Sequence, residues 1–303
     1  MKRNLILSLA AILGIMLMAQ MSFAQGSVQP QTQTKKTKRV QQQQQTIMPP
    51  PKMYADVETE ELPYKLSAAL SLSYEQNAEE NSDGIRGRGL GLYFAPKFEY
   101  YDFSIRAELF YGYDLNQPSE GSDWADGVVS LLYKGWKLSA IKISPYTSVE
   151  LPLSKESREN REIELVNNLG VLVALDTKDL NVPDLSLSYS VAYGYYTNKY
   201  TTRVNGEPAT EYKIVQTVKA GYNFNPVSVS VKFKFTSSYS YEDVVRSGFF
   251  LQENISYEVN DTLGFSLYHY NAAPFLKDAT YENNLQTYDR ETSTVGVSTD
   301  LSF

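Results

Sequence analysis

The chain has no cysteine and a single histidine, His269, in 303 residues. Without cysteine there is no disulfide, no thiolate metal site and no lipid-modified N-terminal thiol. With one histidine, a Ser-His or Asp-His hydrolase has only one base to use. Tryptophan is scarce, with 2 residues. Beyond residue 24 no run of about 18 apolar residues recurs, which excludes membrane-spanning helices. Mean hydropathy is −0.36. Positive charge is also in deficit. There are 28 basic and 35 acidic side chains, which argues against a nucleic-acid-binding face.

Residues 1–24 have the layout of a secretory signal. Lys2 and Arg3 open it, Leu5 to Met18 form its apolar middle, and Ser22-Phe23-Ala24 places small residues before a cut. A membrane anchor is the alternative, but the apolar stretch is short for a span, and Gln20 and Gln25 flank it. Cleavage after Ala24 removes Lys2 and Arg3 from the 28 bases and none of the 35 acids, leaving a net −9.

Residues 25–62 follow as a Gln/Lys/Pro-rich linker. They contain Gln41 to Gln45, Lys35-Lys36-Thr37-Lys38-Arg39 and Pro49-Pro50-Pro51. Such a composition buries no core and is expected to be disordered, with a reach of roughly 35 Å. Its basic cluster suits contact with anionic lipid or cell wall; a solvated tether is the simpler reading.

From Tyr64 onward, apolar residues recur at every second position. Leu66, Ala68, Leu70, Leu72 and Tyr74 form one row, with Ser67, Ala69, Ser71 and Ser73 between them. Similar rows run through Leu90–Tyr100, Phe103–Tyr113, Leu185–Tyr195 and Val227–Phe235. Period 2 of this kind gives a strand one apolar and one polar face. Between rows lie two-residue links of turn chemistry: Tyr101-Asp102, Lys134-Gly135, Asn225-Pro226 and Asn260-Asp261. These alternate with longer polar links at 77–85, 116–124, 152–161, 198–210, 242–247 and 272–287. Link 176–183 departs from this by being long where a short turn is due. A change of phase near Ser139-Ala140 predicts a β-bulge there. The count is twelve strands, with ten or fourteen as alternatives, because the segments at Val129–Tyr133 and Leu263–Leu267 are weak.

The last strand carries the sharpest signal. Ser293, Val295, Val297, Thr299, Leu301 and Phe303 alternate with polar or small residues up to a terminal aromatic. With an export signal at the other end, this chain resembles the bacterial outer-membrane β-barrel proteins of porin type. That resemblance implies an all-β fold, a single-chain antiparallel transmembrane β-barrel over residues 63–303. It implies an outer-membrane location with both termini periplasmic. The implied partners are outer-membrane lipid and lipopolysaccharide, the barrel-insertion machinery and periplasmic chaperones. No cofactor and no metal are expected. In such proteins the final strand resembles the signal read by the insertion machinery, here Val295, Val297, Leu301 and Phe303. The 24 tyrosines fit aromatic belts at two membrane interfaces. A soluble periplasmic β-sandwich or β-helix is the alternative, although its apolar face would pack inward. Similarity to twelve-stranded channels for acidic oligosaccharides extends to strand number alone.

If the apolar rows face lipid, the other phase faces a lumen. It holds Lys97, Glu99, Arg106, Glu108, Lys142, Glu164, Lys219, Lys232, Lys234, Glu258 and Asp300. The Asn225-Pro226 turn sets Lys219 opposite Lys232, and like charges so placed are unfavourable unless water or anions screen them. Two readings follow. One is a passive channel for small hydrophilic solutes or ions, with an anion preference from Lys219, Lys232 and Lys234. The other is a structural or interaction barrel whose lumen is filled by charge networks. A hydrolase is a distant third, because His269 lies in Tyr268-His269-Tyr270-Asn271 without a phospholipase-type His-x-Ser. Arg86-Gly87-Arg88-Gly89-Leu90-Gly91 opens a strand, so it is not a phosphate loop. The acidic clusters at Glu79-Glu80, Glu120 to Asp126 and Asp278 to Glu282 lack the spacing of a calcium loop.

Overall fold

The computed structural model describes residues 64–80, 84, 86–116, 121–177, 182, 184–275, 284–289 and 292–303. The expected signal and the linker over 25–62 lie outside the described residues. Fourteen strands follow in chain order: β1 Tyr64–Asn77, β2 Arg88–Tyr100, β3 Phe103–Asp114, β4 Asp123–Trp124, β5 Gly127–Tyr133, β6 Trp136–Leu138, β7 Ile141–Leu151, β8 Ile163–Leu175, β9 Leu185–Asn198, β10 Thr210–Asn223, β11 Val227–Ser240, β12 Val245–Glu258, β13 Leu263–Pro274 and β14 Ser293–Ser302. Twelve of them form the wall. The two-residue β4 flanks the end of β3, and the three-residue β6 flanks the start of β7.

Every wall strand pairs antiparallel with its neighbours, and β1 pairs with both β2 and β14, so the sheet closes on itself. The closing register runs from Ala69↔Ser302 to Asn77↔Thr294. Reciprocal bonds extend it, Ala68 N–H to Phe303 O at 3.0 Å and Phe303 N–H to Ala68 O at 2.9 Å. Closure pairs each of the twelve wall strands on both sides, which an apolar surround demands.

The apolar rows point out. Leu66 is 70% exposed near the start of β1, and Leu169 and Leu267 are 68% and 54% exposed although they lie well inside strands paired on both sides. A surface so uniformly apolar suits lipid, not water. Aromatic rings gather at both rims. At the short-turn end lie the Tyr64–Phe98–Tyr100–Tyr101 chain, the Phe103–Tyr133–Trp136 cluster and the Tyr222–Phe224 pair. At the long-loop end lie Tyr111–Trp124 and the stacked Tyr193–Tyr212–Tyr239 row. Tyr64 and Phe303 both end at the short-turn rim.

Two local expectations are corrected. Lys134-Gly135 is no hairpin link, and Ser139-Ala140 is no bulge. Instead β6 pairs with the start of β7 through Trp136↔Ile143 and Leu138↔Ile141, so the chain turns at Ser139-Ala140, where Ser139 has φ 55°. Lys134-Gly135 is the irregularity between β5 and β6. Gly135 has φ 78°, and a Cβ there would collide with the Ile143 carbonyl. The second weak segment, at Leu263–Leu267, proves to be the start of the twelve-residue strand β13.

Candidate functional site: the barrel interior

The inward phase is built from small residues and flat-lying long ones. Tyr146 lies across Gly170, where a Cβ would meet its ring at 2.5 Å. Lys213 lies across Gly194 in the same way, its Cε 2.9 Å from the position of a Cβ. Larger residues at these glycines would push the side chains into the lumen. Several inner aromatics escaped the sequence reading: Tyr93, Phe110, Tyr196, Phe250 and Tyr268 are each at most 6% exposed. They occupy the polar phase of their strands, so parity alone would have found them.

Most of the expected lumen charges occur as pairs or clusters. Lys97 contacts Glu99 at 3.0 Å, and Lys134 reaches the same carboxylate at 3.8 Å. Arg106 contacts Glu108 at 3.0 Å and donates to the Tyr93 hydroxyl at 2.6 Å. Asp300 accepts from the hydroxyls of Ser266 and Ser298. Lys142 and Glu258 stand exposed near the short-turn rim. Glu164 does not join them. The register slips between Ile163 and Leu165, Ile163 packs with Val166 and Tyr196, and Glu164 is left exposed.

Four further polar groups belong to the interior: Lys213, Glu150, Asn168 and Glu75. Lys213 bridges β10 to β7 and meets both oxygens of Glu150 at 2.7 and 2.9 Å. Asn168 donates to the same carboxylate at 3.0 Å. Glu75 on β1 accepts from the Tyr268 and Tyr270 hydroxyls of β13 at 2.9 and 3.1 Å.

Lys219, Lys232 and Lys234 are arranged differently. Lys219 and Lys232 face each other in register. The ammonium groups of Lys232 and Lys234 sit 5.1 and 5.7 Å from the centre of the Phe250 ring. None of the three has an ion-pair partner among the described residues. Glu108, on β3, acts on Lys219 and Lys232 electrostatically without touching either. The β10–β11 wall therefore carries three clustered cations opposite a paired Arg106–Glu108.

His269 lies in the outward phase of β13. Its Nδ1 is 3.2 Å from Glu253 on β12, and its ring stacks against Tyr288 at 6.2 Å. It is not part of the interior. Val295, Val297 and Leu301 point outward on β14, with Phe303 just beyond its end.

A sealed antiparallel cylinder of twelve strands, aliphatic outside and belted by aromatics at both ends, is an outer-membrane β-barrel of porin-like form. No protein-family model matches the sequence, and no curated protein matches it. Among solved structures, the NanC porin aligns at 10% identity and TM-score 0.49, over 78% of this chain and 98% of that one. The KdgM porin in complex with disordered oligogalacturonate aligns at 11% identity and TM-score 0.46, over 78% and 99%. The anion-selective porin from Comamonas acidovorans aligns at 10% identity and TM-score 0.40, over 79% and 99%. With about one residue in ten shared, these likenesses reach no individual side chain.

Proposed function

We propose that this barrel is a passive outer-membrane channel for small hydrophilic solutes, with an anion bias set by Lys219, Lys232 and Lys234. One observation carries the reading. Other interior cations, such as Lys97, Arg106 and Lys213, are held by carboxylates, whereas these three are clustered with no carboxylate in contact among the described residues. Three neighbouring ammonium groups are costly unless water or a mobile anion screens them, and a one-signed ring is how a pore biases ion traffic. We place both termini on the periplasmic side, since Tyr64 and Phe303, the ends of the barrel wall, share the rim of the short turns and the longer links lie at the other.

A filled, non-conducting barrel is the second reading. The inward Tyr93, Phe110, Phe250, Tyr268 and Tyr270 support it, because they narrow an interior that twelve strands leave only moderately wide. Planar-bilayer recording separates the two. Steady single-channel openings are expected, and the triple variant Lys219→Glu, Lys232→Glu, Lys234→Glu should reverse the ion preference. A silent bilayer would favour the filled barrel, and unchanged selectivity in the variant would remove the lysines from the path.

A further inference from the structure

The link between β9 and β10 is fastened to its neighbouring links at the long-loop rim. Lys199 N–H donates to Glu162 O at 2.9 Å and Val204 N–H to Asn160 O at 3.4 Å on one flank. Tyr241 N–H donates to Ala209 O at 3.2 Å on the other. Within it, Thr202 bridges Pro208, and Arg203 N–H donates to Glu207 O at 2.8 Å, making a small hairpin. This hairpin brings Arg203 and Glu207 to Arg246, which occupies the inward phase of β12 opposite Ser238.

Two guanidinium groups converge there on one oxygen. Arg203 Nη1 lies 3.5 Å and Arg246 Nη2 3.3 Å from Glu207 Oε2. Arg203 Nη2 also donates to Thr210 Oγ1 at 3.3 Å. Arg161 is close enough to act on Arg203 and stands 5.9 Å from the centre of the Tyr196 ring. Lys213 Nζ is 5.2 Å from that same ring. Cations thus continue from the mouth to Lys213, which in turn acts on Lys234. Burial, then the neighbouring Arg161 and Arg246, push the Arg203 guanidinium below its usual range, against the opposing pull of the Glu207 and Glu156 carboxylates. A guanidinium is built for two-oxygen contacts with carboxylate or phosphate, yet here a single oxygen serves two of them.

We propose that Arg203, Arg246 and Arg161 form a capture site for soluble multivalent oxyanions at the long-loop mouth, held in the unloaded barrel by the Glu207 carboxylate as a tethered competitor. A phosphate- or polycarboxylate-bearing solute offers more oxygens and more charge than Glu207 and displaces it. The place of this site at the head of a solute path rests on the channel reading; binding itself does not.

The test is calorimetric titration of the full refolded barrel in detergent with inorganic pyrophosphate, with heat-modifiable gel mobility confirming that each variant is folded. Glu207→Gln keeps the shape of the loop and removes the competing charge, so it should bind about tenfold more tightly than the parent, the scale of one charge-assisted contact. Arg203→Gln and Arg246→Gln should each weaken binding by about tenfold or more. Equal affinity across the set, or no binding by either the parent or Glu207→Gln, would overturn the site. Competition by purified lipopolysaccharide would assign it to lipid phosphate and overturn the soluble-solute assignment. A barrel that binds in this pattern but stays silent in planar bilayers keeps the capture site and loses the channel.

Discussion

Gly135 shows how much one residue can determine. Its φ of 78° and the Ile143 carbonyl standing where a Cβ would be leave room for glycine alone. Gly135→Ala should lower barrel stability by about 1–3 kcal/mol from backbone strain, with the collision adding to that. Urea unfolding in lipid, followed by tryptophan fluorescence near Trp136, would measure it. Lys213 makes a second case. The side chains of Lys213 and Glu150 are 12% and 26% exposed, so water screens the pair only partly. Lys213→Met strands a carboxylate and should cost about 2–3 kcal/mol, less than the 3–5 of a fully buried pair. The double variant with Glu150→Leu should recover part of that loss, because removing both partners leaves no uncompensated charge.

The strand is the scale at which reading from sequence worked best. Alternation is local, since successive side chains must take opposite faces, so the outward rows on β1, β2, β3, β9 and β11 were legible without any partner strand. The reading failed where one residue broke the period. At Glu164 the register slip turns Ile163 inward, and nothing in Ile163-Glu164-Leu165 announces it. At Lys134-Gly135 and Ser139-Ala140 both dipeptides have turn character, and the pairing of β6 with β7 decides between them. The two faces differ in what they tolerate. Ile255→Arg on the outer wall should cost about 2–4 kcal/mol if it lies near mid-membrane. Ser188→Glu, inward and opposite Lys219 in register, should be nearly neutral. Comparing refolding yields and unfolding midpoints of the two variants tests which face meets lipid.

At the scale of the whole molecule, closure is the organising event. β14, the last strand, pairs with β1, the first, and the backbone of Phe303 extends that seam through two bonds with Ala68. Deleting Phe303, or replacing Leu301 and Phe303 with Asp, should reduce the fraction of heat-modifiable barrel recovered from the membrane. The same loss in a purified refolding assay would trace it to the seam, whereas loss in cells alone would trace it to the insertion machinery.

The sequence alone determined that this is a strand-built membrane cylinder of about twelve strands, because period-2 patterning, turn dipeptides and a terminal aromatic are properties of neighbours along the chain. It also determined that Lys219 would face Lys232, since a two-residue turn sets the register of its own hairpin. Tertiary structure decided the rest. The bridge from Lys213 to Glu150 spans 63 residues, Glu75 receives hydroxyls from residues more than 190 positions away, and Arg203 meets Arg246 through a folded loop. Contacts between distant strands depend on how the sheet curls and shears to close, and no local pattern encodes that geometry.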